Sequence, residues 1–495
     1  MNLVFAQAGG LGGLDWGIVG IAVVLLFVIS YIFGREEKDT NDFFLGGRRV
    51  PPVVACLSFV ATEISALTIV SIPQTAYEEN WRFLQFLVGL ALARVVVAFL
   101  FIPAFYRYNC TSIYEFLRYR FGPATQYAGS VFFFVMRLIA SGVRLYATCM
   151  AVGVIMGWPL TAAIALFTVV SIAFIAFGGI KAVVWAGAYQ AVFFVVAGIV
   201  AAGYLVSRVD GGIAAAVQAA GQAGRLSTFH FTFDLKDAST FWASLAGGFF
   251  IGLVSFGTDQ EMVQRLLTVE TRKSSQKTIV ATILTALPVY WLYLIVGTLL
   301  FVFYSQNPSL PLPDDLKEIF PHFSRTVLPV GLKGLVLGAI VMASIDSPLS
   351  SLTSSFVSDL YRPLIRRGAS ERHYLLVSRI SVAGFGLVLA AIAFACAPVK
   401  NILWFAFKIL SITGGPLLGV FLLGLLTRRR ANFANIPAML VSAGICFVLL
   451  RMIQKGTLNL GWTWLIVIGT AITFGLAYLC GLTTREAKAE TETLK

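Results

Sequence analysis

The stretch "VMASIDSPLSSLTSS", Val341 to Ser355, sets a carboxylate, a proline and a run of hydroxyls inside a long apolar segment. An ionisable side chain at the centre of a spanning helix costs at least about 2.5–3.5 kcal/mol, so it is kept there for a function or a partner. Hard cations bind oxygen, whether from carboxylate, hydroxyl or carbonyl. Asp346 stands among Ser344, Ser347, Ser350 and Ser351, and Pro348 lacks the N–H that would bond back to the Ser344 carbonyl. The segment reads as half of a site for a small monovalent cation. Close packing of helices through serine is the plainer alternative.

The other half needs unwound backbone, and "ATEISALTIVSIP" offers it, with free carbonyls expected at Ala61 and Ile64. The same stretch carries Glu63, Ser65 and Thr68, and Arg144 in "SGVRLYATCMAV" is another conspicuous charge in an apolar run. Glu63 and Arg144 either neutralise each other or flank a polar solute. Gln85, Asp259 and Gln260 extend the candidate pocket, the last two as lining of the inner vestibule or as plain helix caps.

Holding these groups requires a membrane bundle. Hydrophobic residues make up 58 % of the 495-residue chain and charged ones 12 %, and the mean hydropathy is +0.84. Runs of about 18 or more apolar residues read as spanning helices, so the class is an all-α polytopic membrane protein. The net charge of +13 belongs to short connectors on one side, the positive-inside pattern, rather than to a nucleic-acid surface. Six scattered cysteines suit core packing, and three histidines are too few and too dispersed for a histidine-based metal cluster. Neither a nucleophile–base pair nor "HExxH" occurs, which argues against an enzyme. "MNLVFAQAGG" lacks the basic start of a signal peptide.

Thirteen spans are expected, near 16–34, 52–77, 82–105, 124–156, 158–177, 183–207, 240–260, 278–304, 328–360, 375–398, 401–427, 434–453 and 461–482. The N-terminus then faces outward and the C-terminus the cytoplasm. The second span is interrupted by "ATEIS", and the seventh by Gly247, Gly248, Gly252 and Gly257 in "AGGFFIGLVSFGTDQ". These two open successive five-helix halves, 52–207 and 240–427, the placement that inverted-repeat transporters give their discontinuous helices. An extra helix and cytoplasmic loop fill 1–51, an extracellular connector 208–239, two further helices 428–482 and a cytoplasmic tail 483–495.

"DFFLGGR", "TSIYEFLRYRFG", "GGIKAVVW", "TDQEMVQR" and "SSFVSDLY" follow one another in the order, and between the spans, seen in one family. The chain resembles the sodium:solute symporters, which include sodium–glucose cotransporters, the sodium–proline permease and bacterial sialic acid transporters. The resemblance implies a leucine-transporter-type fold with a leading extra helix, Na+ as coupling ion, and no enzymatic activity. It implies a main sodium site on the carbonyls of Ala61, Ile64 and Ile340, with hydroxyls at positions 343 and 344. Ala343 has none, so a carbonyl or water must stand in beside Ser344. Relatives with a second sodium site carry an aspartate in the fifth core helix, where this chain has Gly187 in "WAGAYQ". The carboxylate is expected to have moved to the eighth core helix, with the second sodium at Asp346 and Ser347.

The expected activity is sodium-coupled symport of a small polar organic solute, by alternating access, in a multi-pass protein of the inner cell membrane working as a monomer in the bilayer. A carbohydrate-like solute is preferred because Glu63 repels an acid unless Arg144 pairs with it. An organic anion such as sialic acid or a monocarboxylate, or an amino acid, is the alternative. A cation channel is more remote, since no pore-lining repeat is evident.

Overall fold

Lipid offers a backbone no hydrogen-bond partner, so an apolar chain closes its own bonds as helices. The computed structural model describes residues 11–34, 40–177, 180–343, 348–399, 401–428 and 432–483, and every regular element among them is helical. The helices that matter here are α1 (Gly13–Gly34), α2 (Pro52–Glu63), α3 (Ala66–Glu78), α4 (Phe83–Arg107), α5 (Tyr114–Arg120), α6 (Pro123–Met156), α7 (Leu160–Phe177), α8 (Ile180–Arg208) and α9 (Phe241–Thr258). They continue with α10 (Gln260–Leu267), α11 (Arg272–Gln306), α12 (Leu332–Met342), α13 (Pro348–Ser355), α14 (Glu371–Ala395), α15 (Ile402–Leu426), α16 (Asn435–Gln454) and α17 (Trp464–Thr483).

Nine helices among the described residues are long and apolar enough to cross a membrane, or ten if the bent pair α2–α3 is one span. Three shorter apolar helices, Leu160–Ile175, Leu332–Met342 and Trp464–Cys480, stand where three more spans are expected. Five of the cysteines are buried among the helices, and Cys480 lies on an exposed face.

The first interruption falls where "ATEIS" places it. The helix stops at Glu63, Ile64 and Ser65 leave helical geometry, and α3 departs at 56° to α2. The second differs from expectation. Gly247, Gly248 and Gly252 sit in regular helix, and α9 breaks only at Asp259, after a wider turn over Val254–Thr258. The glycines serve packing instead of unwinding. A Cβ on Gly248 would lie 2.2 Å from the Phe86 carbonyl oxygen, and one on Gly89 2.4 Å from that of Leu245. Missing side chains let α4 and α9 touch backbone to backbone, as small residues do in membrane interfaces.

α1 is largely lipid-facing, with Ile21, Val24, Tyr31 and Ile32 exposed. It is nevertheless fastened to the bundle by Asp15, whose Oδ1 accepts from the N–H groups of Gly331 and Gly334 at 2.7 and 2.8 Å. These are orphan donors at the start of α12, so the carboxylate both satisfies them and faces the positive end of the helix dipole. The extra helix thereby steadies the helix that leads into the serine run.

Candidate functional site

The break between α2 and α3 exposes backbone oxygens inside protein. Ile64 N donates to Val60 O at 2.8 Å, and Thr68 N and Ile69 N both turn to Ser65 O. None of these bonds reaches the carbonyls of Ala61 or Ile64, which lie in the same buried core as Ile340 and Ala343. α12 ends at Met342, whose carbonyl is taken by Gln190 Nε2 of α8 at 2.9 Å. Ser344, Asp346 and Ser347 lie outside the described residues.

Of the two readings left open for Glu63 and Arg144, mutual neutralisation does not occur, because Glu63 pairs elsewhere. Its carboxylate forms a buried ion pair with Arg94 of α4, and Tyr290 of α11 donates to Oε1 at 3.1 Å. The Arg94 guanidinium also lies 4.3 Å from the ring centroid of Phe256, a cation–π contact. Four helices meet on one neutralised carboxylate. Thr68, two residues into α3, donates its hydroxyl to the Glu63 carbonyl at 3.3 Å, and both Thr68 and Ser65 are buried.

Arg144 turns to the other side of the break. Its Nη2 donates to Thr62 O at 3.0 Å, and Nη1 lies 3.5 Å from Glu261 Oε1. Arg137, two turns earlier on the same face of α6, reaches Asp259 at 2.5 Å and Glu261 at 2.6 Å. Asp259 also caps α10 by accepting from Glu261 N at 2.9 Å. Arg265 donates Nε to Ser58 Oγ at 3.2 Å and Nη1 to the Glu261 carbonyl. Two carboxylates and three guanidiniums thus join the broken α9–α10 segment to α2 and α6. Asp259 is thus both the cap of α10 and a member of this ion-pair network.

The two glutamines, expected to extend the candidate pocket or, for Gln260, to line the vestibule or cap a helix, stand apart from this network. Gln85, in the first turn of α4, gives Nε2 to Ser239 O and accepts from His230 N, both at 2.8 Å. Gln260 accepts from Ile113 N at 2.9 Å and donates to Thr111 O at 3.2 Å. A primary amide matches a peptide group's donor and acceptor, so each pins a connector, one at either end of the bundle. Arg94, Arg137, Glu261, Arg265 and Tyr290 were not anticipated. Of these, Arg94 and Arg137 betray themselves as charges within "LALAR" and "FFVMR".

Gly187 is explained by its neighbour. A Cβ there would lie 2.6 Å from Ser58 Oγ and 3.1 Å from Ser58 Cα. The space beside the fifth core helix is filled by Ser58, which also receives Arg265. Beyond Arg144 lies a cavity of about 30 Å3, edged by Ser141, Thr148, Thr168, Ser171 and Pro348. It is the size of one or two waters and adjoins the start of α13.

Three comparisons bear on this arrangement. The family model described as the sodium:solute symporter family matches residues 43–441. The chain is 31 % identical over 484 residues to the sodium/sialic acid symporter NanT of Aliivibrio fischeri, covering 96 % of this chain and 94 % of that one. It is 30 % identical over 446 residues to the sodium/sialic acid symporter SiaT of Proteus mirabilis, covering 86 % and 88 %. A solved structure of a Na+-coupled sialic acid symporter, substrate-bound and outward-open, superposes with a TM-score of 0.86 at 26 % identity, over 96 % of this chain and 99 % of that one.

Proposed function

The chain belongs to the sodium:solute symporter family, and on that premise we propose that the small organic solute it carries with Na+ is an acidic carbohydrate of the sialic acid class. It is a multi-pass membrane transporter, and no bond is made or broken in its cycle. The observation that carries the solute reading is the pairing of Glu63 with Arg94 and Tyr290. The objection to an acid was an unpaid negative charge at the broken helix, and that charge is already neutralised. Arg144 remains beside the break with its side chain 14 % exposed, among hydroxyls of α6 and α7 suited to a polyol. Guanidinium is the side chain best shaped to hold a carboxylate. The relatives named above carry sialic acid, which supports the same choice.

The sodium ligands we assign are the carbonyls of Ala61, Ile64, Ile340 and Ala343 with the hydroxyl of Ser344, and a second ion at Asp346 and Ser347. Bound Na+ would join the break in α2–α3 to the end of α12, and the completed pocket would then accept the solute. Ion and solute each bind more tightly when the other is present, a reciprocal free energy. We place thirteen spans in the inner cell membrane, N-terminus outside, with halves 52–207 and 240–427 rocking about the site, in a monomer.

The experiment is uptake into proteoliposomes of labelled N-acetylneuraminate, with and without an inward Na+ gradient, in competition with neutral sugars, monocarboxylates and amino acids. Sodium-dependent accumulation blocked by unlabelled sialic acid is expected, and Arg144→Gln should reduce it at least about tenfold. Accumulation of a neutral sugar with no response to sialic acid would refute the acidic solute while leaving sodium symport intact.

A further inference from the structure

Further along α4 than Arg94, a cavity of about 750 Å3 opens on the arginine-rich side of the bundle, the side the positive-inside rule assigns to the cytoplasm. Its walls are the ends of α4, α5 and α15 and the start of α11, and four arginines converge on it: Arg107, Arg120, Arg272 and Arg428. Arg120 is fixed in place, with Nε donating to Gly424 O at 2.8 Å and Nη2 to Thr427 O at 2.5 Å, the orphan carbonyls at the end of α15. Arg107, Arg272 and Arg428 are exposed, and none forms an ion pair with a described residue. Topology signalling alone asks for arginines strung along connectors. It does not ask for four guanidiniums around one concavity with no carboxylate among its described lining residues.

The rest of the lining says what kind of anion fits. Leu100, Pro103 and Ala104 of α4 and Leu425 of α15 make an apolar wall. That wall continues onto Phe99 and Leu426, which are 68 % and 60 % exposed on the flank of the bundle. Tyr108 at the rim stacks on Tyr119, ring centroids 5.2 Å apart, aromatic groups at home at headgroup depth. A soluble phosphate would use the arginines and ignore the wall. A phospholipid uses both.

We propose that this cavity binds the headgroup of an anionic phospholipid of the cytoplasmic leaflet, its phosphodiester in the arginine cradle and its acyl chains along Phe99 and Leu426. Guanidinium forks match phosphate oxygens two at a time, and basic pockets between helices on this leaflet hold anionic headgroups. α4 comes from the first half of the chain, α11 and α15 from the second. The lipid therefore bridges the parts that alternating access moves against each other.

The test uses the full chain in nanodiscs and in detergent, with palmitoyl-oleoyl phosphatidylglycerol, the matching phosphatidylcholine, and 10 mM inorganic phosphate as probes. Phosphatidylglycerol should raise the melting temperature above that in phosphatidylcholine and survive as an adduct in native mass spectrometry. The combined variant Arg107→Gln, Arg272→Gln, Arg428→Gln should bind it at least roughly tenfold more weakly, with an unchanged melting temperature in phosphatidylcholine. If that variant does not fold, Arg272→Gln and Arg428→Gln separately should each lose adduct. Equal phosphatidylglycerol retention by wild type and variants would overturn the site. Equal stabilisation by inorganic phosphate would overturn the lipid in favour of a soluble ligand.

Discussion

Glu63 was legible as a charge inside the membrane, and its partner was not. Arg94 lies 31 residues further on and on another helix, so the pairing depends on which faces of α2 and α4 meet, information that no local pattern carries. The identity of the partner decides the chemistry. Taking one member from a buried ion pair leaves the other charged and unsolvated, at a cost of about 3–5 kcal/mol. Arg94→Gln should therefore lower the melting temperature of the detergent-solubilised protein sharply, while Glu63→Gln with Arg94→Gln together should recover most of the loss. If the double variant melts as low as the single one, the pair is not what holds these helices. Glu115, in the connector helix α5, behaves differently. Burial pushes its carboxyl from the ordinary 4.5 up to about 7, against a hydrogen bond from Thr111 N and helped by nearby Asp359. The folded state then holds a proton that the unfolded chain has released, so Glu115's contribution to stability is most favourable below pH 4.5 and falls as pH rises towards 7. Glu115→Gln should flatten that slope and melt higher than wild type at pH 8. A variant that keeps the wild-type slope from pH 5 to 8 would show that Glu115 is not its source.

Between elements, the interruption at "ATEIS" could be read from its own polar residues, because they have no other reason to sit in an apolar run. The glycines of α9 could not be read the same way. Glycine permits both unwinding and close approach, and only the position of α4, with the Phe86 carbonyl 2.2 Å from where a Gly248 Cβ would be, decides for packing. Gly187 poses the same question on α8. Its absent side chain was legible as a missing carboxylate, but the reason lies across the interface in Ser58, which occupies the space and receives Arg265 at 3.2 Å. Gly187→Asp alone should force α2 and α8 apart, with an overpacking cost of about 1–3 kcal/mol seen as a lower melting temperature. Adding Ser58→Gly should restore stability, because it returns the volume and lets the new carboxylate meet Arg265. A double variant no more stable than Gly187→Asp would mean that Ser58 is not the obstacle.

For the whole molecule, the charge of the solute and the number of sodium ions together fix what the membrane potential can do. An inside-negative potential of about 100 mV contributes about 2.3 kcal/mol per net charge carried, and a tenfold sodium gradient about 1.4 kcal/mol per ion. One Na+ with a monovalent acid is electroneutral, so the potential drops out and accumulation stops near tenfold. Two Na+ with the same acid carry one net charge, and about 5.1 kcal/mol then supports roughly 5,000-fold accumulation. Concentrating the proposed sugar acid beyond about tenfold would need the second arrangement. In the proposed second sodium site the carboxylate would come from Asp346, since position 187 is glycine. Uptake of N-acetylneuraminate into proteoliposomes should therefore rise when valinomycin and potassium impose an inside-negative potential. Asp346→Asn should abolish that rise, lower the sodium Hill coefficient from about two towards one and leave sodium-dependent uptake itself in place. An Asp346→Asn protein that still responds to voltage as the wild type does would place the second sodium elsewhere. A wild type indifferent to voltage would reduce the cycle to one ion, carried by the carbonyls at the α2–α3 break alone.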